Sequence, residues 1–239
     1  MHATIQKPIE EILSFFRPGE KVFVVGCGNC AMKCHSGGLP ETEGMARRLK
    51  ERGVDVAGFN VPGPSGMSLC KLSNTRKVLQ EDCAEQTRQA GSFLVLGCGQ
   101  GVHTVIDATD GAMVHPGCDT IFGGETVSDT DINEYCSLCG ECVIEFTGGL
   151  CPMTLCAKSL LNGPCGGAEN GRCEVDADRD CGWILIYERL KKLGRLDLLE
   201  GYRKPKNHAK WSRPRSLKVS PHEATFCSQA GKQTVSNRD

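Results

Sequence analysis

The sequence predicts an α/β protein: a small parallel-sheet domain followed by a Cys-rich, loop-and-helix metal-binding domain. Three observations carry that expectation. Short apolar runs alternate with helical segments between residues 21 and 114, the pattern of a parallel sheet with crossover helices. Two of those runs end in the same Gly-Cys-Gly turn, at residues 26–28 and 97–99. Beyond residue 127 the regular patterning gives way to eight cysteines spread from Cys136 to Cys181.

Residues 1–20 read as an N-terminal helix. Ile5, Ile9, Ile12, Leu13 and Phe16 fall at helical spacing with Pro8 in the first turn, and the stripe they form is expected to dock on its own domain. The α/β domain spans 21–126. Its first strand, Lys21-Val22-Phe23-Val24-Val25, is the continuous apolar run of a strand covered on both faces. A helix at 42–52, a strand at 54–59, a longer helix at 71–89, a strand at 92–96, a helix at 102–109 and an apolar stretch at 112–114 complete the alternation. Gly123 to Asp131 is polar and rich in turn formers, a domain boundary.

The two Gly-Cys-Gly turns lie at the carboxyl ends of strands, where open α/β sheets bind ligands. Cys27, Cys30 and Cys34 would supply three thiolates and Cys98 a fourth, with Cys118 as an alternative to Cys98. The glycines would let backbone N–H groups approach the anionic sulfur. Gly26-x-Gly28-x-x-Ala31 also satisfies a relaxed, Rossmann-like dinucleotide pattern, but no acidic residue closes the second strand, so a cluster is preferred to a nucleotide. Cys70 and Cys83 read as small buried hydrophobes. His35 and His103, beside the turns, read as surface or supporting groups rather than ligands.

The Cys-rich domain spans 127–200. Thiolates are soft ligands that select zinc and iron–sulfur clusters, and no histidine interrupts this set. Cys136, Cys139 and Cys142, at consecutive two-residue gaps, suit one corner of a cubane whose fourth ligand comes from elsewhere, whereas structural zinc usually takes two separated pairs. Spacing alone leaves open which of Cys151, Cys156, Cys165, Cys173 and Cys181 completes that site. Pro152 at a first helical position and Gly163 past its end predict a helix whose N-terminus faces whatever Cys151 binds. Cys165 and Cys173 sit in loops, and Cys181 precedes an amphipathic helix from Gly182 towards Leu193.

Composition narrows the function classes. Sixteen cysteines in 239 residues could signal a secreted disulfide scaffold, but Lys7, Glu10 and Glu11 break up any leader-like apolar core near the start. No apolar run is long enough to span a bilayer, so a soluble, cytoplasmic protein with available thiols is expected. A net charge of −1 points to no polyanionic partner and no nucleic acid. The segment 201–239 is a basic, irregular tail, with Arg203, Lys204, Lys206, Lys210, Arg213, Arg215 and Lys218 and no acid before Ser220; Cys227 within it is assigned no metal. No P-loop, no Ser/His/Asp order and no carboxylate-pair motif is present.

The run Cys136-Ser-Leu-Cys139-Gly-Glu-Cys142, with Thr147-Gly-Gly-Leu-Cys151-Pro152, Leu161-Asn-Gly-Pro-Cys165-Gly166-Gly167, Cys173-Glu and Trp183-x-x-Ile186-Tyr187-x-Arg189-Leu190, resembles the methylenetetrahydrofolate reductase C-terminal family. The Gly-Cys-Gly-Asn-Cys turn resembles the N-terminal half of the same proteins, so the likeness covers residues 15–200. That family is the small iron–sulfur subunit accompanying a flavin-bearing reductase subunit in acetogens and related anaerobes. The resemblance implies a non-catalytic electron conduit with two [4Fe–4S] clusters, a third as an option, and no flavin of its own. Its partners would be the flavin-containing catalytic subunit and ferredoxin or another low-potential donor. Zinc suits one four-cysteine site if that site has no redox duty, and a non-redox zinc scaffold is the competing reading.

Overall fold

The computed structural model describes residues 1–62, 67–219, 224–228 and 231–235, with side chains described as far as Leu217. The chain separates into two compact units, residues 1–133 and 134–239.

In the first unit, β1 (His2–Gln6), α1 (Ile9–Leu13), β2 (Lys21–Val25), α2 (Cys30–Lys33), α3 (Leu39–Glu51) and β3 (Asp55–Asn60) follow in order. Then come α4 (Leu72–Lys77), a π-helical turn (Val78–Asp82), α5 (Ala84–Gln89), β4 (Ser92–Val95), α6 (Gly99–Ala108), β5 (Met113–Pro116) and β6 (Cys118–Gly123). A short hairpin of β7 (Glu125–Thr126) and β8 (Ile132–Asn133) ends the first unit. The four central strands form a wholly parallel sheet in the order β3-β2-β4-β5.

The apolar runs of β2 and β4 are continuous because both faces of this sheet are covered. Val22, Val24, Leu94 and Leu96 face one layer with Ile12, Met45 and Leu49. Phe23, Val25, Phe93 and Val95 face the other with Leu69, Leu79 and Val105. Alternate residues of one strand thus anchor opposite helix layers.

The amphipathic segment near the start does dock on its own unit: Ile12 is fully buried, with Ile9, Leu13 and Phe16 packed beside it. Burying such a side chain contributes about 1.5–3 kcal/mol. The predicted helical stripe was too long at its start, however. Residues 2–6 form β1, which pairs antiparallel with β6 and leaves Ile5 exposed. Strand pairing with a segment more than a hundred residues away overrides the local helical spacing.

In the second unit the helical elements among the described residues are a 3₁₀ turn (Ile144–Thr147), α7 (Pro152–Leu155), α8 (Gly182–Leu193) and 3₁₀ turns at Leu196–Leu199 and His208–Trp211. Cys181, Trp183, Ile186 and Leu190 form its buried core, with Leu150, Cys156, Leu160 and Leu198 packed against them. The helix expected from Pro152 to Gly163 stops after one turn. Cys156 is extended (ψ 118°) and Ser159 is left-handed (φ 50°). The Leu160 carbonyl, which a helix would have used, accepts the Trp183 indole N–H at 3.0 Å instead.

The tail is less irregular than its composition suggested. Backbone pairing joins β9 (Arg215–Val219), β10 (Ala224–Ser228) and β11 (Gly231–Val235) into an antiparallel sheet. The side chains of Lys218 and Cys227 lie outside the described residues.

Candidate metal centres

β2 and β4 are direct neighbours, with Val25 level with Val95. The two Gly-Cys-Gly turns therefore emerge side by side at the carboxyl edge of the sheet. The order β3-β2-β4-β5 sends the chain to opposite sides after β2 and β4, the switch point at which such sheets open a crevice. Close backbone approach keeps it tight: Cys27 N donates to the Gly37 carbonyl at 2.7 Å, and a Cβ on Gly37 would stand 2.0 Å from the Leu96 carbonyl oxygen.

Cys27 and Cys98 are buried there, and Cys98 lies near enough to Cys27 and Cys30 for their charges to interact. Burial pushes the Cys98 thiol up, while the Gly101 and Gln100 backbone N–H groups at the start of α6 oppose that shift. Cys34 sits with a different neighbour. Its Sγ is 3.7 Å from the His2 carbonyl, and it senses Cys118, whose Sγ contacts the Ser36 carbonyl at 3.5 Å. Burial drives the Cys118 thiol up to about 12. Two groupings thus have members within reach of one another's charge, a trio of Cys27, Cys30 and Cys98 and a pair of Cys34 and Cys118, with Cys27 packed on one face of the sheet and Cys118 on the other.

His35 and His103 are exposed and face Glu41 and Asp107 at 3.8 and 3.3 Å. Cys83 is half-buried, its sulfur accepting from the Asn60 amide at 3.3 Å, but Cys70 is exposed, contrary to the expectation of a buried thiol. It falls on the turn before α4 rather than in the helix. The glycine turn after β2 leads into α2, a single helical turn of four residues. That is too short to present the aligned N-terminus on which dinucleotide binding relies.

In the second unit Cys136, Cys139 and Cys142 lie on a loop shaped by left-handed Leu138 (φ 55°) and Gly140 (φ 80°). The Leu138 N–H points at the Cys136 sulfur at 3.4 Å. Lys206 brings its Nζ to 2.8 Å from the Cys139 sulfur and also donates to the Glu141 carbonyl. Burial pushes the Cys139 thiol up, but Lys206 and backbone contact at Glu141 outweigh it, and the thiol lies below its ordinary range. Cys151 caps α7, and on that helix the Thr154 hydroxyl donates to the Tyr135 carbonyl at 3.3 Å, tying the helix to the residue before Cys136.

Cys156, Cys165, Cys173 and Cys181 line one small cleft with Ala168, Gly182 and Trp183, enclosing a cavity of about 10 Å³. That volume admits a single water-sized body. Chain crossings hold it: Cys181 N donates to the Gly171 carbonyl at 2.8 Å and Cys173 N to the Arg179 carbonyl at 2.9 Å. Lys158 pairs with Glu174 at the rim, which holds that carboxyl below its usual range. Spacing had left the distal cysteines ungrouped; the loops bring four of the five together. Among the described residues, no group of three or more His, Cys, Asp or Glu side chains is already set to hold a metal ion. The donor chemistry nonetheless fits soft metals: all-sulfur sets, backbone N–H groups aimed at sulfur and a cation on one of them.

Residues 115–209 match the family model described as Methylene-tetrahydrofolate reductase C terminal. This reductase C-terminal match takes in all eight thiols from Cys136 to Cys181, as well as Cys118 and Lys206. It leaves Cys27, Cys30, Cys34 and Cys98 outside. No curated protein and no solved structure matches the chain. No helix among the described residues is long and apolar enough to cross a membrane.

Proposed function

We propose that this chain is the iron–sulfur electron-transfer subunit of a methylenetetrahydrofolate reductase complex. It would relay electrons from ferredoxin or another low-potential donor to the flavin of a separate catalytic subunit that reduces methylenetetrahydrofolate to methyltetrahydrofolate. The observation that carries the reading is the dress of the Cys136–Cys142 loop, where a thiol triplet meets a backbone N–H and an ammonium within a segment that matches the reductase C terminal.

Cys27, Cys30 and Cys98 would hold one cluster, with Cys34 or Cys118 completing it. Cys136, Cys139 and Cys142 would hold a second, and Cys151 is its proposed fourth ligand because Thr154 ties that helix beside Cys136. When bound, such a cluster takes up and returns one electron at a time, at a potential set by net charge, hydrogen bonds to sulfur and burial. The chain's own residues supply those settings: α6 N–H groups at Cys98, the Leu138 N–H at Cys136 and the Lys206 ammonium at Cys139. For Cys156, Cys165, Cys173 and Cys181 the small cavity favours a lone zinc ion, a structural role that needs no electron.

The test is Cys139→Ser in the assembled complex. Donor-dependent reduction of the partner's flavin should be lost, while artificial-dye activity of the catalytic subunit stays largely intact. Equal loss of both, or an anaerobic analysis that finds zinc and no iron or sulfide, would make the chain a scaffold instead.

A further inference from the structure

Lys206 belongs to the basic tail, yet it is not left in solvent. The tail is pinned first by a reciprocal pair between Arg203 and Asn162, Arg203 N–Asn162 Oδ1 at 2.8 Å and Asn162 Nδ2–Arg203 O at 2.9 Å. The Arg203 guanidinium then stacks over Phe146, 4.4 Å from the ring centroid. Asn207 N donates to the Glu141 carboxylate at 2.7 Å, Lys210 Nζ lies 3.6 Å from the same group, and Arg215 donates to the Leu138 carbonyl at 3.0 Å. Three cations, Lys206, Lys210 and Arg215, thus close over the Cys136–Cys142 loop, Lys210 paired with the Glu141 carboxylate and the other two donating to backbone carbonyls. Lys206 alone touches a sulfur.

We propose that Lys206 is a positioning residue that sets the charge of the Cys136–Cys142 site: its ammonium hydrogen-bonds Cys139 and favours the reduced state of a cluster held there. The inference rests on the iron–sulfur reading above. Reduction adds one electron, hence one negative charge, to the sulfur cage. A cation in contact with that cage, half-shielded from solvent, stabilises the more negative state most. The Glu141 carbonyl fixes where the ammonium can point.

The experiment is a potentiometric titration of the anaerobically purified full chain, read by visible absorbance and electron paramagnetic resonance, with iron and sulfide assayed on every sample. Lys206→Met should keep wild-type iron and shift the midpoint of one cluster to more negative potential. Lys206→Arg should keep the midpoint close to the wild-type value, and Lys204→Met, an exposed neighbour in the same tail, should leave the midpoint unmoved. An unchanged midpoint in Lys206→Met would overturn the assignment. So would loss of iron from that variant, which would make Lys206 a strut for the loop, or an equal shift in Lys204→Met, which would assign the effect to diffuse tail charge. A wild-type chain without iron would sink the electron-transfer reading itself, and this inference with it.

Discussion

Gly182 opens α8 so close to the end of α7 that a Cβ on it would stand 2.6 Å from both the carbonyl carbon and the carbonyl oxygen of Leu155. This contact brings Cys156, which follows Leu155, into the same cleft as Cys181, which precedes Gly182. Backbone cannot yield as a flexible side chain can, so Gly182→Ala must separate the two helices. The expected cost is about 1–3 kcal/mol, the ordinary penalty of overpacking. Denaturant unfolding with and without added zinc should show both lower stability and a smaller stabilisation by the metal.

The parts of this architecture that could be read ahead were those set by local pattern. The apolar runs of β2 and β4 named a doubly covered sheet, and the repeated turns after Val25 and Leu96 named its open edge. What could not be read depends on distant partners. Ile5 obeys helical spacing but pairs with Asp119 across β1 and β6. Pro152 starts a helix as expected, yet the loop beyond Leu155 must deliver Cys156 to Cys165, Cys173 and Cys181, and nothing in eight- or nine-residue spacings announces that. The hold of Lys206 on Cys139 spans sixty-seven positions, so a tail judged by its composition looked solvated when it is a clamp.

The four-thiol cleft and the Cys triplet should separate in metal analysis. Cys173→Ala is expected to lose one zinc ion per chain and retain the visible iron–sulfur chromophore. Cys142→Ala should do the reverse. Inductively coupled plasma analysis beside an absorbance spectrum checks both, and loss of iron in Cys173→Ala would merge the two sites.

Within the first unit the trio and the pair make unequal claims on the crevice. Cys98 faces Cys27 and Cys30, whereas Cys34 has Cys118 beside it as a possible substitute donor. Cys98→Ser should therefore empty the site of iron, while Cys34→Ser retains a measurable share. Doubling the change, Cys34→Ser with Cys118→Ser, should remove that remainder. Iron assays on the three variants settle the order.

Glu20 should make the first unit acid-sensitive. The carboxylate sits at the amino-terminal side of β2, with the Arg17 N–H at 2.8 Å and buried His115 at 3.6 Å, its imidazole packed between Phe15 and Phe16. Burial alone would push the carboxyl up, but the Ser92 hydroxyl, the Arg17 N–H and His115 prevail, and it lies below its ordinary 4.5. A group whose folded value is depressed contributes stability above its unfolded value, and that contribution fades as pH falls through the folded one. Wild-type unfolding midpoints in urea should drop as pH falls from the ordinary carboxylate value of 4.5 through the lower folded one, whereas Glu20→Gln should start lower and fall less over the same interval. The loss begins at the ordinary carboxylate value and is complete only below the folded one, so the two curves should run parallel near neutrality and converge only in acid. Curves that keep a constant separation down to the acid limit would remove Glu20 from the account.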